Sequence, residues 1–163
     1  MSRFLSTLCL TLLILAFSGC NRADSGSRPL RNADKNGLAI EGYDPVAYFP
    51  EGGGLPRKGR LTIIDQHVGL TYRFATEANR ARFQENAERY APAFGGWCAW
   101  AMVQGDRVDV DPRSFLVEDG RLLLFYDGFF ADTRASWREA SSPALGQDAD
   151  SHWAVIVREA SAR

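Results

Sequence analysis

Phe94-Gly95-Gly96-Trp97-Cys98-Ala99-Trp100-Ala101-Met102 is the stretch around which the chain is organised, with two of the four tryptophans on either side of one cysteine. Glycine lacks the Cβ that forbids most backbone conformations, so Gly95-Gly96 can bend sharply or let another segment come close. Trp97, Cys98 and Trp100 are bulky or soft groups that normally go inside. The run reads either as a tightly packed strand or as the wall of a pocket, and its apolar pattern alone favours the strand.

Working outward, the N-terminus reads as a targeting segment. Arg3 supplies a small positive start, and Phe4 to Phe17 is an apolar run broken only by Ser6, Thr7 and Thr11. Such a run is shorter than the roughly 20 residues a membrane span takes. It ends in Phe17-Ser18-Gly19-Cys20, which resembles the lipobox of bacterial lipoproteins, although Phe17 stands where leucine is usual. The resemblance implies a lipid on Cys20 and attachment to the cell envelope facing the periplasm. Asn21, in place of an aspartate, favours the outer membrane. Secretion with cleavage nearby is the alternative.

This reading fixes the cysteine arithmetic. Of Cys9, Cys20 and Cys98, the first leaves with the leader and the second carries lipid. One thiol remains, so neither an intrachain disulfide nor a site needing two cysteines from one chain can form. The 19 basic residues against 20 acidic become 18 against 20 once Arg3 is removed, a net charge of about −2. No basic stripe stands out, which argues against nucleic acid as a partner. The expected organisation is a leader over 1–19, a flexible polar tether over 20–36 and one folded domain over 37–157.

Within that domain Leu38-Ala39-Ile40 reads as a short strand, and Pro45 calls for a turn after Asp44. Leu61 to Ile64 and Leu70 to Phe74 read as strands joined around Gln66 to Gly69. Thr76 is the expected N-cap of a helix whose stripe is Phe83, Ala87 and Tyr90 and which Pro92 ends. Arg107 to Asp111 alternates as a strand. Phe115 to Glu118 and Arg121 to Tyr126 flank Asp119-Gly120, a type I′ hairpin signature that sets Glu118 opposite Arg121 as an oppositely charged pair. Phe129 to Ala140 reads as a second helix with Phe130, Thr133 and Trp137 on one face. After Ser141-Ser142-Pro143 comes a short tail in which Trp153, Val155 and Val157 cover an edge of the core. The fold class is α+β, a small, mostly antiparallel sheet with two main helices.

Gly42-Tyr43-Asp44-Pro45-Val46-Ala47-Tyr48-Phe49, Gly69-Leu70-Thr71-Tyr72-Arg73-Phe74, Asn79-Arg80 with Phe83, Glu88-Arg89-Tyr90-Ala91-Pro92 and Gly95-Gly96-Trp97-Cys98-Ala99-Trp100-Ala101 together resemble the YHS domain family. More closely, they resemble its extended bacterial branch, the YHS domain-containing (seleno)proteins. The resemblance runs from about Ile40 to Trp153 and implies a YHS/TRASH-like core with a C-terminal extension. In metal-handling relatives the implied ligands are cysteines, one after Asp-Pro-Val and others at the start of the helix. Here those positions hold Ala47, the Phe74-Ala75-Thr76 junction and Asn79, none of them a thiolate. The family's usual metal ligands are therefore not carried over. The tripeptide that names the family falls at His67-Val68-Gly69.

Cys98 is the candidate for soft-metal or redox chemistry, which requires thiolate character and some exposure. Its bland reading is an inert cysteine filling a gap. His67, if beside Cys98, would complete an N,S pair suited to copper or zinc. Otherwise it is a surface histidine, as is His152. Tyr43 and Asp44 are candidate ligand-binding groups, although an Asx-turn before Pro45 explains Asp44 equally well. Trp97 and Trp100 would wall the pocket or simply pack. Asp106, Asp109 and Asp111 lack the spacing of an EF-hand and read as a solvated face. The expected function is a lipid-anchored, non-catalytic envelope protein binding a soft metal or small ligand near Cys98. The rivals are a thiol redox enzyme, which lacks an in-chain resolving cysteine, and a structural or adaptor lipoprotein.

Overall fold

The computed structural model describes residues 29–129 and 131–162. Local signals place the first hairpin and helix. Strands β1 (Ile64–His67) and β2 (Leu70–Arg73) pair antiparallel with His67 opposite Leu70. The two residues between them, Val68 and Gly69, both have positive φ, the geometry that matches strand twist in a two-residue loop. The first strand thus lies later than expected from Leu61 to Ile64. Thr76 caps α1 (Glu77–Glu85), its hydroxyl accepting from the Asn79 N–H at 3.1 Å. The expected single helix is two. Asn86 leaves helical geometry and its side chain caps α2 (Ala87–Tyr90), accepting from the Arg89 N–H.

The Phe94–Met102 run is not a strand. Ala93–Gly96 is a 3₁₀ turn and Ala99–Met102 a single turn of helix, α3. Leu38 and Ala39 make only isolated bridges, to Thr71 and Ala33, before a second 3₁₀ turn at Ile40–Gly42. Residues 107–110 form no strand either.

The hairpin β3 (Asp111–Glu118) and β4 (Arg121–Phe125) forms as expected, with positive φ at Asp119 and Gly120 and Glu118 opposite Arg121. The two charges do not pair, however. Arg121 makes a two-pronged bridge to Asp150, at 2.9 and 2.8 Å, while Glu118 accepts from Trp137 Nε1 at 3.0 Å. A tertiary partner with matching fork geometry displaces the cross-strand one.

A two-residue pair of strands, β5 (Asp127–Gly128) and β6 (Ala131–Asp132), precedes α4 (Thr133–Ala140). The second helix therefore starts later than Phe129, which is 96 % exposed, and Phe130 lies outside the described residues. The expected tail is the longest helix, α5 (Pro143–Ser161), with Ser142 as N-cap and Pro143 in its first turn. Leu145, Ala149, Trp153 and Ile156, not Val155, face the core.

The molecule is α+β, with five helices and three two-stranded antiparallel sheets among the described residues. Its core is divided in two by β4. Period-2 alternation sends Leu122 and Leu124 into a cluster with Val46, Tyr48, Phe74 and Phe83. Leu123 and Phe125 go into another with Phe94, Trp97, Met102 and Trp137. A strand buried on both faces must be apolar at every position, which accounts for the unbroken Leu122–Phe125 run.

Candidate functional site

At the turn that opens the Phe94–Met102 stretch, three successive residues adopt left-handed backbone: Phe94 (φ 55°), Gly95 (φ 62°) and Gly96 (φ 86°). Only glycine enters this region freely. Gly95 has a second reason to lack a side chain, since a Cβ there would stand 2.9 Å from Trp153 and 3.0 Å from the Leu30 carbonyl. What comes so close is a strap formed by residues 29–33. Asn32 donates from its backbone N–H to the Gly95 carbonyl (2.8 Å) and from Nδ2 to that of Gly96 (3.2 Å). Trp97 Nε1 donates to the Leu30 carbonyl and Arg107 to that of Pro29. The described end of the segment read as tether is therefore fixed to the domain.

Cys98 has no exposed surface. Its backbone N–H donates to the Val108 carbonyl, and its sulfur lies 3.4 Å from both Thr133 Oγ1 and the Tyr126 nitrogen. Thr133 has one hydroxyl proton and donates it to the Tyr126 carbonyl at 2.8 Å. The Thr133 oxygen must then accept from the thiol, while the sulfur accepts from the Tyr126 N–H. A closed ring of three hydrogen bonds thus joins the Cys98 thiol, Thr133 and Tyr126.

His67 shares none of these partners. Its Nε2 lies 3.1 Å from a Glu88 oxygen and its ring meets Phe83 edge-on. Among the described residues no group of three or more His, Cys, Asp or Glu side chains is placed to hold a metal ion. Cys20 lies outside the described residues.

Asp44 is also wholly buried. Oδ1 accepts from the N–H groups of Val46 (2.9 Å) and Ala47 (3.3 Å), and Oδ2 from those of Ala75 (2.8 Å) and the Asn79 amide (2.7 Å). The Val46 bond is the Asx-turn before Pro45. The other oxygen ties that turn to the junction of β2 and α1, with no acceptor capacity facing a cleft. Tyr43 is half-buried beneath the Lys58 ammonium, 4.1 Å from its ring, in a shallow depression shared with Asp109 and Arg113. Trp97 is buried and Trp100 half-buried, both against the second cluster.

Of the expected site residues, His67 and Tyr43 line open cavities, and they line different ones. The His67 cavity encloses about 310 Å³, beside Gly95, where the strap, both hairpin tips and α5 meet. Arg31, Arg89, Arg121 and Trp153 lie along it. Burial pushes the hydroxyl of Tyr72, also on its wall, up to about 12, and the Arg31 charge works in the opposite direction. Neither Arg31 nor Trp153 had a local signal: one sits in a polar, aperiodic segment, the other in what reads as a tail. Comparison with known proteins gives no match to a family model, to a curated protein or to a solved structure.

Proposed function

We propose that this is a lipid-anchored envelope protein of YHS-like descent that works by binding a small ligand non-covalently, with Cys98 as part of the core. The sealed sulfur is the observation behind this reading. A nucleophilic or metal-binding thiol must be reachable, whereas the Cys98 side chain is closed off, with its sulfur against Thr133 and Tyr126. Copper or zinc on Cys98 and His67 would require the ring of hydrogen bonds there to open and His67 to leave Glu88. Thiol redox chemistry would require the same opening. Ligand binding beside the stretch needs neither, because the cavity next to Gly95 is already present. The anchor rests on Phe17-Ser18-Gly19-Cys20 and the descent on the ordered motifs from Gly42 to Ala101.

The test is alkylation of the processed, lipid-bearing protein in detergent, in which the leader with Cys9 is gone, Cys20 is blocked by its lipid and Cys98 is the one free thiol. The native thiol should resist a maleimide that modifies the urea-unfolded chain rapidly. Copper(I) and zinc(II) titrations should not distinguish wild type from Cys98→Ser. Fast native alkylation, or metal binding lost with the cysteine, would restore the chemical reading of Cys98.

A further inference from the structure

Resting on the reading of this chain as a ligand-binding domain, we infer that the cavity beside Gly95 takes a small organic anion, a carboxylate or phosphate monoester with an aromatic body, and that Arg31 is its principal cation. Three guanidiniums, Arg31, Arg89 and Arg121, line it against one carboxylate, Glu88. The carboxylates that pair with two of them, Glu51 on Arg89 and Asp150 on Arg121, are outside the lining. A guanidinium has five N–H donors. Asp150 takes two from Arg121 and Glu51 one from Arg89, leaving donors unused by these pairs. Arg31 has no carboxylate within ion-pair distance among the described residues. It is the charge in the cavity that a ligand would neutralise without breaking an existing pair.

The scaffold also keeps these cations in place. Arg31 sits in the strap between Leu30 and Asn32, both held by the Gly95-Gly96-Trp97 turn. Arg121 is clamped by Asp150 and lies over the Phe94 ring, 5.1 Å from its centroid. Groups that are already ordered lose little freedom on binding. Trp153 offers an aromatic wall for the ligand body, and the volume of about 310 Å³ is at the small end of ligand pockets. The depression near Tyr43 has the opposite balance, with Glu41, Asp109, Asp111 and Asp127 against Lys58 and Arg113. An anionic probe therefore discriminates between the two.

The experiment titrates phenyl phosphate, benzoate, inorganic phosphate and neutral benzyl alcohol into the full chain in detergent, read by calorimetry and by tryptophan fluorescence. Phenyl phosphate or benzoate should bind more tightly than inorganic phosphate, benzyl alcohol should not bind, and added salt should weaken the interaction. Arg31→Ala should cost about tenfold or more in affinity, with Arg31→Lys retaining part of it. Arg113→Ala, in the other depression, should leave it unchanged. Circular dichroism establishes that each variant is folded, and Arg31→Glu serves as a second variant on the half-buried strap. Absence of binding by both aromatic anions, binding indifferent to Arg31, or equal loss in Arg113→Ala would overturn the inference. An unreactive native thiol with no anion binding would sink this site alone. A reactive thiol with Arg31-dependent binding would sink the reading of Cys98 and leave the site standing.

Discussion

Asp44 and Cys98 are both wholly buried, and both lie in motifs whose residue types suggest chemistry. They nevertheless hold the fold together in different ways. Asp44 brings a charge into the first half of the core, where four N–H donors from two segments compensate it. No donor in that set can be lost cheaply, since burying an under-satisfied carboxylate costs several kcal/mol. Cys98 brings a soft, neutral group into the second half, held by long contacts of sulfur to one hydroxyl and one amide. Two motif residues that are equally buried can thus place very different demands on the fold. The distinguishing quantity is how much hydrogen bonding the buried atom demands.

Substitution is the direct way to break this comparison. Asp44→Ala leaves the Val46, Ala47 and Ala75 N–H groups and the Asn79 amide without their acceptor, and should cost at least ~3 kcal/mol in urea denaturation. Asp44→Asn should recover little, because its amide nitrogen would confront donors. If either variant proves as stable as Cys98→Ala, the distinction fails. On the Cys98 side, the largest effect should come from the turn that carries the strap. Gly95→Ala forces a side chain at φ 62° toward Trp153 and the Leu30 carbonyl, at about 2 kcal/mol. Limited proteolysis near residue 30 should accelerate with it; unchanged cleavage would separate strap from turn. Cys98→Ala itself should cost only about 1–2 kcal/mol, from the small void and the weakened ring.

Two gentler measurements sharpen the contrast. Burial pushes the Tyr72 hydroxyl, in the first cluster, from 10.0 up to about 12. A group with a raised folded pKa contributes stability that is full below its unfolded pKa and is lost as pH rises through the folded one. Alkali should therefore weaken the fold between 10.0 and about 12, and Tyr72→Phe should flatten that decline relative to its own stability at neutral pH. Tyr48, pushed up by burial as well, acts in the same sense. The smallest effect expected is at Ser114, whose buried hydroxyl has no protein partner. Ser114→Ala should be neutral or stabilising by up to ~1 kcal/mol; a loss of stability would reveal a hydrogen bond to Ser114 that the fold does not display.

Features set within a few residues were legible from the sequence. Asp119-Gly120 gave the hairpin and its register, Thr76 the start of α1, and Asp44-Pro45 the Asx-turn, because each is a contest between a side chain and its neighbouring backbone. The mixed α+β class was legible too, since apolar periods change along the chain. The interior of the Phe94–Met102 stretch was not, because it is shaped by partners far away in sequence. Trp97 bonds to Leu30 and Cys98 to Tyr126 and Thr133, so a run apolar enough for a strand becomes a left-handed turn and one turn of helix.

The amino-acid order alone therefore determined where the chain turns at Asp44-Pro45 and Asp119-Gly120 and where α1 begins. Only the tertiary structure decided that the sulfur is enclosed, that the tail is a core helix and that Arg31 meets Arg121 across one cavity. Burial and charge convergence depend on contacts between segments remote along the chain, and no local propensity encodes those distances.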